Sequence, residues 1–227
     1  LAGADVVLAT SLAIYQARRR LNSEVVHVPH GVDVEHFSEA ASAGLRMPDD
    51  AAAIPRPVLG FWGMIQDWVD IDLLVNVARL RPDWSILLIG EALADVSRLA
   101  ALPNVHLLGR RAYAQLPAYA KAIDVGLIPF CESELTRAVN PIKLREYLAA
   151  GLPVVSTPLP EAERLAGWVS IARGAEEFTA ACERELTENS PEKAAQRRAG
   201  MQTETWRAKV EAISEHVMQR CNRRALA

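Results

Sequence analysis

The stretch PVLGFWGMIQDWVDIDLLVNVARLRPDWSILLIG, residues 57–90, decides the fold class. Residues 57–63 and 84–90 are continuous apolar runs that each end in glycine, as buried strands do. Between them, residues 70–82 carry apolar side chains at helical spacing, and Asp70 is placed to cap the helix. Two fully apolar strands joined by a helix form a βαβ unit, whose strands are parallel.

The same alternation continues on both sides of this stretch. Further strands are predicted at 5–10, 24–29, 104–109, 124–130, 153–157 and 168–173. Helical segments are predicted at 12–20, 95–101, 115–122, 141–150, 160–165 and 175–187, and in a last long stretch to about residue 224. Residues 38–57 are rich in Ala, Asp and Pro without clear periodicity, and we expect a linker there. The pattern predicts a doubly wound, Rossmann-like α/β fold with its ligand site beyond the carboxyl ends of the strands.

Composition limits the classes of function. The chain has 227 residues, 50% of them hydrophobic, and a formal net charge of −3, so no global field favours nucleic acid. Its three cysteines, Cys131, Cys182 and Cys221, have no metal-ligand or CxxC spacing, and we expect reduced thiols. The chain begins at Leu1 and runs directly into a strand, without a basic leader. We therefore expect a fragment of a longer protein.

A second stretch, RAVNPIKLREYLAAGLPVVST (137–157), carries the chemistry. A helix is predicted to begin near Pro141, and Lys143 lies in its first turn, where the helix dipole disfavours a cation by about 0.3–1 kcal/mol. Arg137 and Arg145 are close by, and no acidic residue lies between them. A bound anion would explain the arrangement, because free helix amides and a lysine form a phosphate site. The alternative is that Lys143 simply extends into solvent.

Glu146 follows Lys143 by three residues, on the same helical face. It could form a local ion pair, or it could accept hydrogen bonds from a ribose one turn from a diphosphate. The glycines that end three predicted strands, Gly63, Gly90 and Gly109, would let a ligand approach the backbone there, or serve only as turns.

The stretch NPIKLREYLAAGLPVVST resembles the donor-binding signature of GT-B glycosyltransferases of the large family-4-like group. The flanking segments ADVVLATS, VVHVPHGVDVEHF and NVHLLGRRAYAQLPAYAKAIDVGLIPF resemble the same group, so the resemblance covers nearly the whole chain. GFWGMIQDWVDIDLL resembles a subgroup that includes glycosyltransferases of teichuronic-acid and other polysaccharide synthesis. The fold implied is one half of a two-domain GT-B enzyme.

The resemblance implies a donor site made of Gly63, Gly109, Arg110, Tyr113, Thr136, Arg137, Asn140, Ile142, Lys143, Leu144 and Glu146. In it Glu146 would hold the ribose, and Lys143 with the amides that follow Pro141 would hold the diphosphate; both side chains are assigned as catalytic. Gly109, Arg110 and the loop toward Tyr113 would meet the base.

Other positions have more specific expected roles. Gly63 would let the donor phosphate or the acceptor approach, and Thr136 and Asn140 would lie near the transferred sugar.

Two features depart from the family pattern. Many members have two glutamates separated by seven residues at the donor helix; Glu146 matches the second, whereas Ala138 stands at the position of the first. Many also have cations after the first strand, where this chain reads GMIQDW. Lys143, with Arg110 or Arg137, would have to supply the positive charge.

The implied domains are a remnant of the acceptor domain with the hinge (1–35), the donor domain (36–204) and a terminal helix that crosses back (205–227). The implied activity is retaining transfer of a sugar from a UDP- or GDP-linked donor to a glycan or a lipid-linked acceptor. A metal-independent, cofactor-free, cytoplasmic enzyme is expected, with peripheral membrane association left open. The alternatives are a nucleotide-sugar epimerase of the same fold and a non-catalytic nucleotide-binding module.

Two groups of residues resemble metal motifs but do not have the features of metal sites. Asp70 and Asp72 form a DXD motif, but at a helix start acidic residues serve as caps and favour the dipole. The spacing of His27, His30 and His36 fits no standard zinc site.

Overall fold

The computed structural model describes residues 1–225 and contains a six-stranded parallel sheet. Its strands are β3 Val58–Trp62, β4 Ser85–Ile89, β5 Val105–Gly109, β6 Val125–Ile128, β7 Val154–Ser156 and β8 Val169–Ile171. Their order is β5-β4-β3-β6-β7-β8. Strands β4 and β5 thus lie on one side of β3, and the later strands β6 to β8 lie on its other side, which makes the boundary between β3 and β6 a topological switch point. Such a switch point opens a crevice at the carboxyl ends of the strands.

Strands β1 Val7–Ala9 and β2 Val25–His27 pair only with each other, in parallel. The helix α1 Leu12–Arg19 connects them. This small unit meets the far end of the chain, because Glu24 forms ion pairs with Arg220 and Arg223 of the last helix. The predicted division into a remnant, a donor domain and a crossing helix stays a prediction.

Helices flank the larger sheet. The helices that follow β2 are α2 Val34–Ser38, α3 Asp49–Ala52, α4 Ile71–Leu80, α5 Ser97–Ala100, α6 Leu116–Ala120, α7 Glu134–Ala138, α8 Ile142–Ala150, α9 Pro160–Glu163, α10 Gly174–Glu188, α11 Pro191–Gly200 and α12 Trp206–Ala225, with short 3-10 turns at Glu39–Ala41 and Tyr113–Gln115. The predicted cap of α4 is confirmed, since the carboxylate of Asp70 accepts a hydrogen bond from the Leu73 amide at 2.8 Å. At the end of α8, Gly151 adopts the left-handed conformation (φ +88°) that a helix terminus favours.

Strands β3, β4, β6 and β7 are buried along their whole length. Adjacent strands end nearly level: Trp62 pairs with Ile89, and Ile128 pairs with Ser156. The loops that follow them therefore share one edge of the sheet, where β6 leads into α7 and α8.

Two local predictions were wrong. The predicted linker 38–57 contains α3, where Asp50 pairs with Arg111 at 2.8 Å and contacts the Tyr119 hydroxyl at 3.1 Å. The predicted last long helix is interrupted after Gly200, because residue 205 leaves helical geometry to form a bridge with Val32. Residues 226 and 227 of the predicted terminal segment lie outside the described residues.

Candidate functional site

Three glycines with positive φ follow or end neighbouring strands at the switch-point edge: Gly63 (φ +131°), Gly90 (φ +150°) and Gly109 (φ +68°). A Cβ on Gly63 would lie 2.0 Å from Cε of Lys143, and one on Gly90 would lie 1.9 Å from the carbonyl oxygen of Gly63. Only a hydrogen in place of a side chain permits these approaches. Lys143 fills the space that a side chain on Gly63 would occupy. At Gly109 that space is open. The expected approach of the donor phosphate or the acceptor to Gly63 stays a prediction.

Lys143 projects from the first turn of α8 toward the end of β3. Its side chain crosses Gly63, and its Nζ lies 5.8 Å from the centre of the Phe61 ring. Burial lowers the pKa of the ammonium below its ordinary value, and the nearby Glu146 opposes that shift. The alternative in which Lys143 extends into solvent is therefore wrong. Within residues 1–225, no carboxylate lies within 4.0 Å of its Nζ.

The two arginines expected beside Lys143 have other partners. Arg137 is exposed and approaches Glu132 at 4.0 Å, and Arg145 is buried against Glu204 at 3.3 Å. The three cations that lie close together in the sequence therefore do not form one cluster in the structure. Of these three cations, Lys143 is the one that stays at the tip of α8, together with the helix amides that have no intrahelical acceptor.

Glu146 is held one turn further along α8. Its Oε2 accepts a hydrogen bond from the indole N–H of Trp62 at 2.7 Å. The backbone amide of Trp62 in turn donates to the Tyr147 hydroxyl at 3.1 Å, so the end of β3 orients this face of the helix. Burial raises the pKa of Glu146, while the Trp62 hydrogen bond and Lys143 act against the rise. Among the described residues no hydrogen bond reaches Oε1 of Glu146, which leaves that oxygen for a ligand.

These groups line a cavity of about 450 Å³, here called the strand-end cavity. Six predicted site residues lie on its walls: Gly63, Arg110, Tyr113, Ile142, Lys143 and Glu146. The sequence did not point to six others, namely Trp62, Met64, Ile89, Glu91, Arg111 and Leu116, and it indicated Gly90 only as a strand end. The one signal that could have pointed to Trp62 is its place directly before the strand-terminal glycine.

Of the residues predicted to meet the base, Arg110 and Tyr113 line the strand-end cavity and Gly109 lies outside it. Tyr113 is half exposed and stacks on His36 with ring centres 4.6 Å apart. Burial, with the charges of Glu146 and Asp33, raises the pKa of Tyr113 to about 12. Gly109 lies in an adjoining cavity of about 500 Å³ that shares Arg110 with the strand-end cavity. Arg110 has no ion-pair partner within residues 1–225, so it is a second free cation beside Lys143.

The remaining predicted residues lie elsewhere. Leu144 is fully buried in the core, where its side chain cannot reach the cavity, although its amide belongs to the first turn of α8. Arg137 lines none of these cavities. Thr136 and Asn140 line a third cavity of about 470 Å³, here called the α7–α8 cavity, on the other side of the α8 tip. Ile142 and Lys143 line both it and the strand-end cavity.

No group of three His, Cys, Asp or Glu side chains within residues 1–225 is placed to hold a metal ion. Asp72 of the DXD motif pairs with Arg98 instead. Metal independence stays an expectation. In the same part of the chain, no helix is both long enough and apolar enough to cross a membrane.

Known proteins resemble this chain in sequence and in fold. A putative teichuronic acid biosynthesis glycosyltransferase, TuaH of Bacillus subtilis (strain 168), is 37% identical over 180 residues, which cover 74% of this chain and 44% of the relative. The chain thus spans less than half the length of that relative.

Solved structures share the fold. Anabaena Alr3699/HepE, in complex with UDP and glucose, superposes with a TM-score of 0.75 at 18% identity, over 95% of this chain and 63% of that one. A glycosyltransferase from Rickettsia africae ESF-5 gives a TM-score of 0.76 at 14% identity, with the same coverage of 95% and 63%. These likenesses confirm the predicted doubly wound sheet of the GT-B type.

The sequence profile of one family matches residues 56–188, which include every strand of the larger sheet and the whole of α8. The chain belongs to the family described as glycosyl transferases group 1.

Proposed function

We propose that this chain is the donor-binding half of a retaining glycosyltransferase that takes its sugar from a nucleoside-diphosphate sugar. The observation that carries the proposal is the tip of α8, where a half-buried lysine with no ion-pair partner among the described residues meets the free amides of the first helical turn. An unpaired cation that burial disfavours needs an anion, and a diphosphate supplies two or three charges at once. HepE of Anabaena, which shares the fold, has been crystallised in complex with UDP and glucose, which supports a nucleotide ligand of this kind.

In this proposal the ribose lies against Glu146, whose Oε2 is held by Trp62 and whose Oε1 accepts no hydrogen bond from the described residues. The base extends toward Arg110 and Tyr113 along the strand-end cavity. This order from helix tip to strand β5 fits a nucleoside diphosphate lying across the ends of β3 and β4.

The chemistry assigned to the chain is stabilisation of the leaving group. As the bond between the anomeric carbon and the diphosphate oxygen breaks, negative charge builds on that oxygen next to Lys143 and the α8 amides. The acceptor oxygen bonds to the anomeric carbon on the face that the diphosphate leaves, and its proton passes to the diphosphate. Lys143 and Glu146 thus act on the donor, and no metal is assigned a role.

The acceptor proposed is a glycan or a lipid-linked sugar of polysaccharide synthesis, in line with the teichuronic acid named for the relative TuaH. A cytoplasmic setting and peripheral association with a membrane belong to the same proposal.

A thermal-shift panel of UDP, GDP, their sugars, uridine and guanosine tests the donor site. One nucleoside diphosphate and its sugars should stabilise the chain in a concentration-dependent way, and the nucleosides should not. A chain stabilised by none of them would refute the proposal. Product analysis with the full-length enzyme then separates transfer, which gives a glycoside, from epimerisation, which gives an inverted nucleotide sugar.

A further inference from the structure

The α7–α8 cavity has an unusually apolar wall for a region next to a proposed diphosphate site. Its walls include the side chains of Trp68, Phe130, Leu135, Val139 and Trp206. Its volume, about 470 Å³, is in the range of small-molecule sites. A sugar with hydroxyl groups on every side would leave several of them without a partner against such a wall.

The polar side chains on this wall are already engaged. Asn140 is 3% exposed; its Nδ2 donates to the carbonyl of Thr10 at 2.8 Å, and its Oδ1 accepts from Arg145 at 2.7 Å. The hydroxyl of Thr136 donates to the carbonyl of Cys131 and also contacts Ser133. Neither group can serve a ligand without breaking a bond inside the protein, so the polar groups left are His30 and Lys143.

The α7–α8 cavity adjoins the strand-end cavity, because Ile142 and Lys143 line both. A diphosphate on the α8 tip has its nucleoside on the Glu146 side. The group attached to its second phosphate therefore points to the other side of the tip, where the α7–α8 cavity opens.

Ala138, the last residue of α7, supplies only a methyl group, and its carbonyl accepts a hydrogen bond from the Ser11 hydroxyl at 2.6 Å. The α7–α8 connection thus offers no carboxylate to bind sugar hydroxyls at that position.

We propose that the α7–α8 cavity holds the transferred sugar and selects one that carries a methyl group, as 6-deoxy and N-acetylated sugars do. This inference rests on the proposed donor site. The methyl group packs among Leu135, Val139 and Trp68, and the sugar hydroxyls turn toward His30, Lys143 and solvent. One methyl group in an apolar pocket changes affinity by about 10-fold or more when fully enclosed. For this partly open cavity we expect about 5-fold.

Calorimetric titration of this chain with matched pairs tests the inference. UDP-N-acetylglucosamine is compared with UDP-glucose, and GDP-6-deoxymannose with GDP-mannose, while UDP and GDP alone report on the nucleotide site. In at least one pair the methyl-bearing sugar should bind about 5-fold more tightly than its partner. The pair that responds tells whether the methyl group comes from an acetamido or a 6-deoxy substituent.

Leu135→Asn is the test variant, since Leu135 is 64% exposed and its replacement removes apolar contact with little cost to the core. It should reduce the 5-fold preference to less than 2-fold. Leu93→Asn is the matched control, because Leu93 is 56% exposed and lines none of the three cavities. The preference of this variant for the methyl-bearing sugar should stay near 5-fold.

Equal or weaker binding of the methyl-bearing sugar in both pairs, with UDP or GDP bound normally, overturns the inference and leaves the donor site intact. A preference that survives Leu135→Asn overturns it as well. Failure of UDP, GDP and all four sugars to bind overturns the proposed function and this inference together.

Discussion

Replacing Lys143 by methionine removes the charge at the α8 tip while keeping an unbranched side chain of similar length over Gly63. At an effective dielectric constant of about 20, a cation and an anion about 4 Å apart attract each other by about 4 kcal/mol, which is an upper bound. Hydrogen bonds that involve a charged group contribute about 1.5–3 kcal/mol. We therefore expect a loss of about 2 kcal/mol in binding, which is about a 30-fold weaker affinity for UDP or GDP, whichever the chain binds.

Stability should change in the other direction. Burial lowers the pKa of Lys143, so folding disfavours its charged form and the wild-type protein carries that cost when the lysine is protonated. Methionine has no such cost, and the free energy of unfolding of Lys143→Met without ligand should equal or exceed that of the wild type. Denaturant titration measures it. A higher free energy of unfolding together with weaker ligand binding would show that Lys143 contributes to ligand binding and not to the stability of the fold.

Isothermal titration calorimetry with a nucleoside diphosphate and with its nucleoside separates the charge effect from general damage. Lys143→Met should weaken the diphosphate about 30-fold and leave any binding of the nucleoside unchanged. The matched control is Lys193→Met on α11, whose amine is exposed and pairs with Glu188 at 3.3 Å; it should bind as the wild type does. A loss below about 3-fold at Lys143, or an equal loss for the nucleoside, would refute the reasoning.

The wild-type affinity should also depend on pH. Because burial lowers the pKa of Lys143, its positive charge is lost at a lower pH than that of an ordinary lysine. Affinity for the diphosphate should therefore fall as pH rises through that pKa, and Lys143→Met should not show this fall. An identical pH profile in both proteins would contradict the assignment.

Three further substitutions test the rest of the site. Glu146→Gln should weaken binding of the nucleoside diphosphate about 10-fold. Because burial raises the pKa of the Glu146 carboxyl, the wild type loses stability as pH rises from the ordinary pKa through the raised one, and a pH series of melting temperatures should show no such loss in the variant. Gly63→Ala should lower the free energy of unfolding by about 1–3 kcal/mol, since the new Cβ meets the lysine at 2.0 Å in a backbone with φ +131°, whereas Gly167→Ala, with no atom within 4 Å, should change it by less than about 0.5 kcal/mol. Arg145→Met leaves the partly buried Glu204 with one cation fewer and should cost about 2–4 kcal/mol in urea unfolding; a cost near zero would show that this ion pair does not hold α8.

The fold could be predicted because its signals are local. The apolar runs that became β3 and β4 and the cap at Asp70 each need only a window of about ten residues. The stretch 38–57 escaped prediction for the opposite reason. Its short helix α3 is stabilised by distant partners, since Asp50 bonds to Arg111 and Tyr119 across the fold.

The part of the site formed by residues one helical turn apart, Lys143 and Glu146 on α8, could be predicted from the sequence. Contacts between distant segments could not. Nothing in the sequence shows that Arg145, two residues from Lys143, turns away to Glu204, or that the space over Gly63 belongs to a lysine of another element. The hydrogen bond from Trp62 to Glu146 likewise joins residues 84 positions apart.

The most direct measurement is a crystal structure of this chain with the nucleoside-diphosphate sugar that stabilises it most. The account predicts phosphate oxygens about 2.7–3.2 Å from the amides of Ile142 and Lys143 and from the Lys143 ammonium, with the ribose hydroxyls on Glu146. A diphosphate bound at any other place, or the start of α8 covered by protein in the complex, would contradict it.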